Sequence, residues 1–298
     1  MEMLKEHSNN MIPDENPKSK TKSIGAKIVK MVMYIFLLVV ALFQLFPIVW
    51  LFLFSLKNNF EIFNLSPFAL PKEFRFENYV KVWVEGNISV YFMNSMLYTV
   101  SSVVLTIILA SMVTFAITRL KWKGSKLTLG LFMVGMMIPV HSTLIPLFNT
   151  FTNMNLIDNP LSLIIAYTAF NLPITIMILL GFYEALPHEI EEAALIDGAS
   201  IHQIFFGITL PMTLPVMATA SIINMIYNWN EFVFVNTFIS SDKFKTLTVG
   251  IQNFIGQYST DWGAIGATLM ISILPILIIF LILSDRIVEG IAAGSVKG

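Results

Sequence analysis

The chain contains no cysteine, and only 12% of its 298 residues are charged. The first absence removes disulfide frameworks and thiolate chemistry. The second is more restrictive. A soluble domain carries about 25% charged residues, and half that fraction leaves too little charge to coat a water-facing surface. Gly-Lys does not occur anywhere, so the chain has no phosphate-binding loop of its own. The four histidines, His7, His141, His188 and His202, have no HExxH or comparable ligand spacing. No GxSxG and no acid pair suggests hydrolysis. No enzyme, metal site, cofactor or nucleic-acid partner is therefore expected. The net charge of −1 does not separate partner classes.

What is present is apolar sequence in long runs. Charged residues are missing from Met31 to Leu56, Gly86 to Thr118, Leu127 to Ile157, Asn159 to Tyr183, Ile208 to Asn230 and Gly263 to Ser284. Each run exceeds the roughly 20 residues that a helix needs to cross hydrocarbon. The runs are continuous rather than alternating, which favours helices over a barrel. The sequence thus predicts an all-α integral membrane protein with six transmembrane helices, over residues 31–56, 91–118, 127–148, 161–183, 212–235 and 264–284. The first run is too long for a signal-peptide core and lacks a small-residue cleavage site, so it reads as a retained helix. Residues 1–24 read as a flexible tail and 25–298 as the transmembrane domain.

Lysine and arginine set the orientation. With the N-terminus inside, the inner segments hold twelve, including Arg119, Lys121, Lys123 and Lys126, and the outer segments hold six. Both termini are expected in the cytoplasm of a multi-pass protein of the plasma or inner membrane. The loop from Glu189 to Pro215 then lies inside as well. That loop has no Lys or Arg and holds Glu189, Glu191, Glu192 and Asp197, so it does not set topology. Its local signals describe two short helices. Pro187 and the glutamates suit a helix start and the positive end of its dipole. Gly198 suits a turn. Ser200 with Gln203 forms a capping-box pattern. Pro211 and Pro215 mark the return to the membrane. On physical grounds alone the loop is either a solvated acidic stretch or a docking surface.

Glu231 is the one carboxylate near a predicted span, in "NWNEF". Three readings fit it: substrate contact, ion coupling, and interhelical hydrogen bonding or gating. Asn224 and Asn228 are candidates for lining a path, although small polar groups also satisfy one another between transmembrane helices. Pro47, Pro139, Pro146, Pro173 and Pro275 lie in or near spans and can bend them. "LTVGIQNFIGQY" (Leu247 to Tyr258) reads as a short interfacial or re-entrant helix.

The acidic loop resembles the EAA signature of ABC importer membrane subunits: Glu192-Ala193-Ala194, three residues, Gly198, then Ile208-Thr209-Leu210-Pro211. Asp197-Gly198-Ala199-Ser200, "YNWNEFVF" and the terminal "GIAAGSVKG" resemble its carbohydrate branch. Within it, the chain is most similar to the shorter of the two paired maltose- and oligosaccharide-type permeases. The resemblance implies import of a sugar, a di- or oligosaccharide, beside a homologous second permease. It also implies a cytoplasmic ABC ATPase dimer and an extracellular or periplasmic sugar-binding protein. ATP hydrolysis would fall to the partner. Glu191, Glu192, Ala193, Ala194, Asp197, Gly198, Leu210 and Pro211 would form the ATPase-coupling site, a cytoplasmic helix-turn-helix between helices four and five. Glu192 would pair with a basic residue of the ATPase. Lys57 to Asn87 would help to dock the binding protein. The alternative is an ion-coupled secondary transporter. It expects internal repeats or several buried ionisable groups.

Overall fold

The computed structural model describes residues 24–295 apart from 121 and 257–258, with side chains from 26 to 282. The tail, His7 and the side chains of the terminal "GIAAGSVKG" lie outside the described residues. The chain divides into two units at Val49 and Trp50. The first holds most of α1 (Ile24–Ser55), whose apolar side chains are exposed along the helix, Phe43 at 79%. Such a surface is stable against lipid and not against water.

The second unit begins with the end of α1 and two short helices, α2 (Asn59–Asn64) and α3 (Glu77–Val84). Next come α4 (Ile88–Arg119), α5 (Ser125–Met136), α6 (Leu144–Asn153) and α7 (Pro160–Ala185). The short helices α8 (His188–Ile196), α9 (Ile201–Ile204) and α10 (Leu210–Met212) lead into α11 (Leu214–Trp229). The order closes with α12 (Val233–Phe238), α13 (Leu247–Gly250) and α14 (Trp262–Ser295). The described residues form no β-strand; one isolated bridge joins Ile255 to Thr260.

Among the described residues, four helices are long and apolar enough to cross a membrane, and the number reaches six if each of two bent pairs is one span. The bends correct two predicted spans. Residues 127–148 are not one straight helix, because α5 and α6 meet at 92°. Pro139 is extended, with φ −63° and ψ 119°. A proline has no N–H to give and pushes the residue before it out of the helical region. Residues 212–235 are also broken. A 72° bend at Thr213 precedes α11, and α11 stops at Trp229, short of α12. Before that bend the chain adopts a π turn over Phe205–Thr209. Pro211 cannot donate to the carbonyl four residues back, and a wider turn absorbs the clash. The stretch from Leu247 is likewise not one helix: α13 passes into a 3-10 turn at Ile251–Phe254.

A seam of small polar residues runs through the apolar core. On α4, Ser95, Thr99, Ser102, Thr106 and Ser111 are buried at helical spacing. Small side chains let helix backbones approach where no hydrophobic effect drives them together. Two of these hydroxyls are satisfied locally: Ser102 donates to Tyr98 O (2.6 Å) and Thr106 to Ser102 O (2.7 Å). Asn228 of α11 bridges two helices. Its amide donates to Ser102 Oγ (2.9 Å) and its carbonyl accepts from Asn171 of α7 (2.7 Å). Four residues back, Asn224 donates to Thr175 Oγ1 (2.9 Å). Numbering rises on α11 as it falls on α7, so the two run antiparallel. Arg119 at the end of α4 meets Tyr183 and Leu186 at the end of α7, so those two run parallel.

At the α7 C-terminal end, this bundle closes in an apolar cluster of Ala110, Phe115, Ile176, Leu179, Ile204 and Phe205. The helix-turn-helix rests on it.

Candidate functional site

The EAA stretch forms α8 and α9 with a tight turn between them. Gly198 has φ +85°, a left-handed conformation in which other residues are strained. Its N–H donates to Leu195 O (3.1 Å), and the N–H of Ala199 donates to Ala194 O (2.9 Å). This pair of bonds is the Schellman arrangement and satisfies the last carbonyls of α8. The capping box then starts α9 as the sequence predicts. Ser200 N donates to Gln203 Oε1 (2.8 Å), and Gln203 N donates to Ser200 Oγ (3.4 Å).

The two adjacent glutamates face opposite ways. Glu192 is exposed, whereas the Glu191 side chain is 12% exposed and turned inward. Glu191 Oε1 lies 3.1 Å from Arg119 Nε, an ion pair outside hydrogen-bond geometry, and accepts from Thr209 Oγ1 (3.0 Å). The Arg119 side chain is 3% exposed. Its Nη2 donates to Tyr183 O (2.8 Å) and Leu186 O (3.1 Å), and Nη1 sits 2.9 Å from Nδ1 of His188. A cation at carbonyls that end a helix is favoured by the dipole.

The remaining site residues follow the same division. Ala194 and Leu210 are half-buried against the apolar cluster. Ala193, Asp197, Gly198 and Pro211 are exposed. Apolar side chains share that outer surface: Ile190, Leu195, Ile201 and Phe206 are exposed, and Ile196 is 86% exposed. A solvated acidic loop does not need this much exposed apolar area beside its charge.

Glu231 lies in the break between α11 and α12. Its carboxylate accepts the N–H groups of Phe234 (2.8 Å) and Val235 (3.2 Å) and the hydroxyl of Tyr167 (3.2 Å). This is a helix cap tied to α7. Asn224 and Asn228 are 0% and 6% exposed and are committed to the seam. Within this chain their amide N–H groups join helices, and the Oδ1 of Asn224 is buried without a partner.

A second polar feature lies among α2, α3 and the segment before α14. Lys81 pairs with Asp261 at 2.5 Å beside an open cleft of 1030 Å³ lined by Asn58, Asn59, Arg75 and Asn253. Burial alone would raise the Asp261 pKa, but the Lys81 ammonium and the Ala264 N–H outweigh it, and the pKa is lowered. Among the described residues, no group of three His, Cys, Asp or Glu side chains is placed to hold a metal.

The profile of the family described as binding-protein-dependent transport system inner membrane component matches residues 102–293. That range covers α8 to α10 and most of the seam. A probable ABC transporter permease protein, YurM, of Bacillus subtilis (strain 168) is 34% identical over 292 residues, covering 96% of this chain and 95% of the relative. The chain belongs to this family of transport permeases. The permease is also 35% identical over 254 residues to the diacetylchitobiose uptake system permease protein NgcG of Streptomyces coelicolor (strain ATCC BAA-471 / A3(2) / M145), covering 84% and 83% of the two chains. Its fold is shared with a bacterial ABC transporter involved in the import of the acidic polysaccharide alginate. There the TM-score is 0.76 at 23% identity, covering 88% of the permease and 98% of that chain.

Sequence reasoning about the permease missed Arg119, which entered it only as one of the inner positive charges. Its partner Glu191 is 72 residues away along the chain. The spacing of Glu191 and Ala194 against Glu192 and Ile196 carried the available signal, because residues three or four apart share a helix face.

Proposed function

We propose that the permease carries a di- or oligosaccharide into the cell as one of two homologous membrane subunits, with α8 and α9 as the coupling element. Its exposed face, Glu192 with Ile196, docks on a cytoplasmic ABC ATPase dimer, which performs the ATP hydrolysis that the chain has no phosphate loop to perform. Both termini lie in the cytoplasm, in keeping with the lysine and arginine distribution. A binding protein on the far side delivers the sugar, with Lys57 to Asn87 and the cleft beside Lys81 as its landing surface.

The observation that carries this reading is the outward face of α8. A carboxylate and a bare isoleucine lie one helical turn apart on α8, which a hydrogen-bonded turn closes. Interface centres are apolar with few, well-placed charges. The sugar enters from the diacetylchitobiose relative, whose substrate is a disaccharide. Ion coupling is disfavoured because the Glu231 carboxylate is occupied by two backbone N–H groups and a phenol.

Uptake of labelled diacetylchitobiose, maltose, trehalose and raffinose tests the substrate class in cells with and without the gene. Loss of one of these on deletion, and its recovery with the intact chain, is expected. Uptake of all four unchanged by deletion would refute the sugar assignment.

A further inference from the structure

Arg119 connects more of the molecule than any turn requires. It ends α4, and its guanidinium holds Tyr183 O in the last turn of α7 and Leu186 O just after it. It pairs with Glu191 on α8, and Glu191 in turn accepts from Thr209 in the π turn before α10. Three stretches of chain therefore meet at one side chain that is 3% exposed, and Glu191 adds a fourth. Covalently, α8 is joined to α7 only by Leu186 and Pro187.

Consider a force applied at the outer face of α8. Through the linker alone it reaches α7 by two residues, of which only Pro187 has a fixed φ. Through the buried pair it reaches the ends of α4 and α7 together. These two helices carry Ser102, Asn171 and Thr175, the seam that grips α11. A packed, hydrogen-bonded junction moves as a unit, because its alternative is a charge left alone out of water.

We propose that Arg119 is a positioning residue that makes the docked helix-turn-helix and the ends of α4 and α7 move as one body. ATP-driven motion thereby reaches the transmembrane seam. The proposal rests on the docking reading above. It differs from a purely stabilising role in one respect. A stabiliser changes how much importer is present, whereas a transmitter changes how much sugar moves for each ATP consumed.

The test uses the intact importer purified with its partners and reconstituted in proteoliposomes. Arg119→Ala removes the clamp. Glu191→Gln keeps the volume and removes one charge, guarding against collapse of the alanine variant. ATPase recovery, ATP hydrolysis and uptake of the sugar identified from the four-sugar panel are measured together. The absence of cysteine also allows spin labels at Val104→Cys and, at the rim of α8, Glu189→Cys. Val104 lies 15 residues before Arg119 on α4, about 22 Å along the helix at 1.5 Å per residue. The expected result for both variants has three parts. ATPase recovery stays at the wild-type level, sugar moved per ATP falls about tenfold, and the interlabel distance distribution broadens. Unchanged sugar per ATP with an unchanged distribution would overturn the proposal. So would a fall in uptake that merely follows loss of ATPase from the complex in both variants. If the unmodified chain recovers no ATPase, the docking reading fails first, and this inference with it.

Discussion

Replacing Gly198 separates backbone conformation from packing. Its φ is +85°, and a Cβ added there meets nothing within 4 Å. Any cost in the undocked permease is therefore conformational. An L-residue in the left-handed region costs about 1–2 kcal/mol, while asparagine visits it more readily. A β-branched side chain is a genuine outlier there. The expected order of damage is Gly198→Asn, then Gly198→Ala, then Gly198→Val. At about 2 kcal/mol for valine, the turn loses roughly thirty-fold in population against its opened alternatives, since about 1.4 kcal/mol is tenfold. Opening removes the bonds from Gly198 to Leu195 and from Ala199 to Ala194 and releases the cap at Ser200. Limited proteolysis of the purified chain in detergent reads the opening directly. Cleavage between residues 196 and 200 is expected to rise by about an order of magnitude for valine and little for asparagine. Sugar uptake should follow the same order. Equal cleavage for valine, asparagine and wild type would refute the reasoning. Asparagine as damaging as valine would mean that side-chain bulk, not φ, limits the site.

Glu192→Lys should reduce ATPase co-purification while leaving the permease in the membrane. A buried, paired charge is worth about 2–5 kcal/mol on truncation, and Glu189→Lys at the rim should cost much less; full recovery and full uptake with Glu192→Lys would contradict the docking role. Asn228→Leu should lower stability in thermal or SDS unfolding by about 1–3 kcal/mol. It breaks interhelical bonds worth about 0.6 kcal/mol each on average and orphans the buried Asn171 amide; an unchanged midpoint would count against the seam. Asp158 accepts from the side chain and N–H of Ser241 and from the N–H of Ser240 (3.0 Å). These bonds, the Ser241 side chain first, lower its pKa. Its contribution is therefore present above the unfolded value of about 3.9 and disappears as pH falls through the lower folded value. Thermal unfolding of wild type and Asp158→Asn should differ at pH 6, and the gap should narrow as pH falls below about 3.9; a constant gap would refute the assignment.

Much of the architecture is legible in the sequence because lipid imposes one dominant requirement. Long charge-free runs must be helices, since every backbone group needs an internal partner. The turn is legible for a local reason: Gly198, Ser200 and Gln203 act within a few residues of one another. Their predicted roles and their geometry coincide. The breaks are less legible. Pro139 and Pro211 each announce a possible bend, but the 92° and 72° angles come from how the flanking segments pack. Glu191 and Glu192 look alike as neighbours in a glutamate-rich stretch. Only the partner Arg119, brought close by the parallel packing of α4 and α7, separates an inward anchor from an outward contact. The seam was similarly ambiguous, since an amide that lines a path and one that clamps two helices have the same one-dimensional signature. Within this chain Asn224 and Asn228 are buried and bonded to α4 and α7, which only the folded arrangement reveals.

The central claim is that the outer face of α8 is where the ATPase docks. The most direct measurement is photocrosslinking in native membranes from p-benzoylphenylalanine placed singly at Ile196, with Met137 as control. Both side chains are highly exposed, at 86% and 80%, so reach alone does not favour either. The account predicts a covalent adduct between the permease and an ABC ATPase from position 196 and none from position 137. An adduct of equal yield from both positions, or none from 196 in membranes where the importer is active, would contradict it.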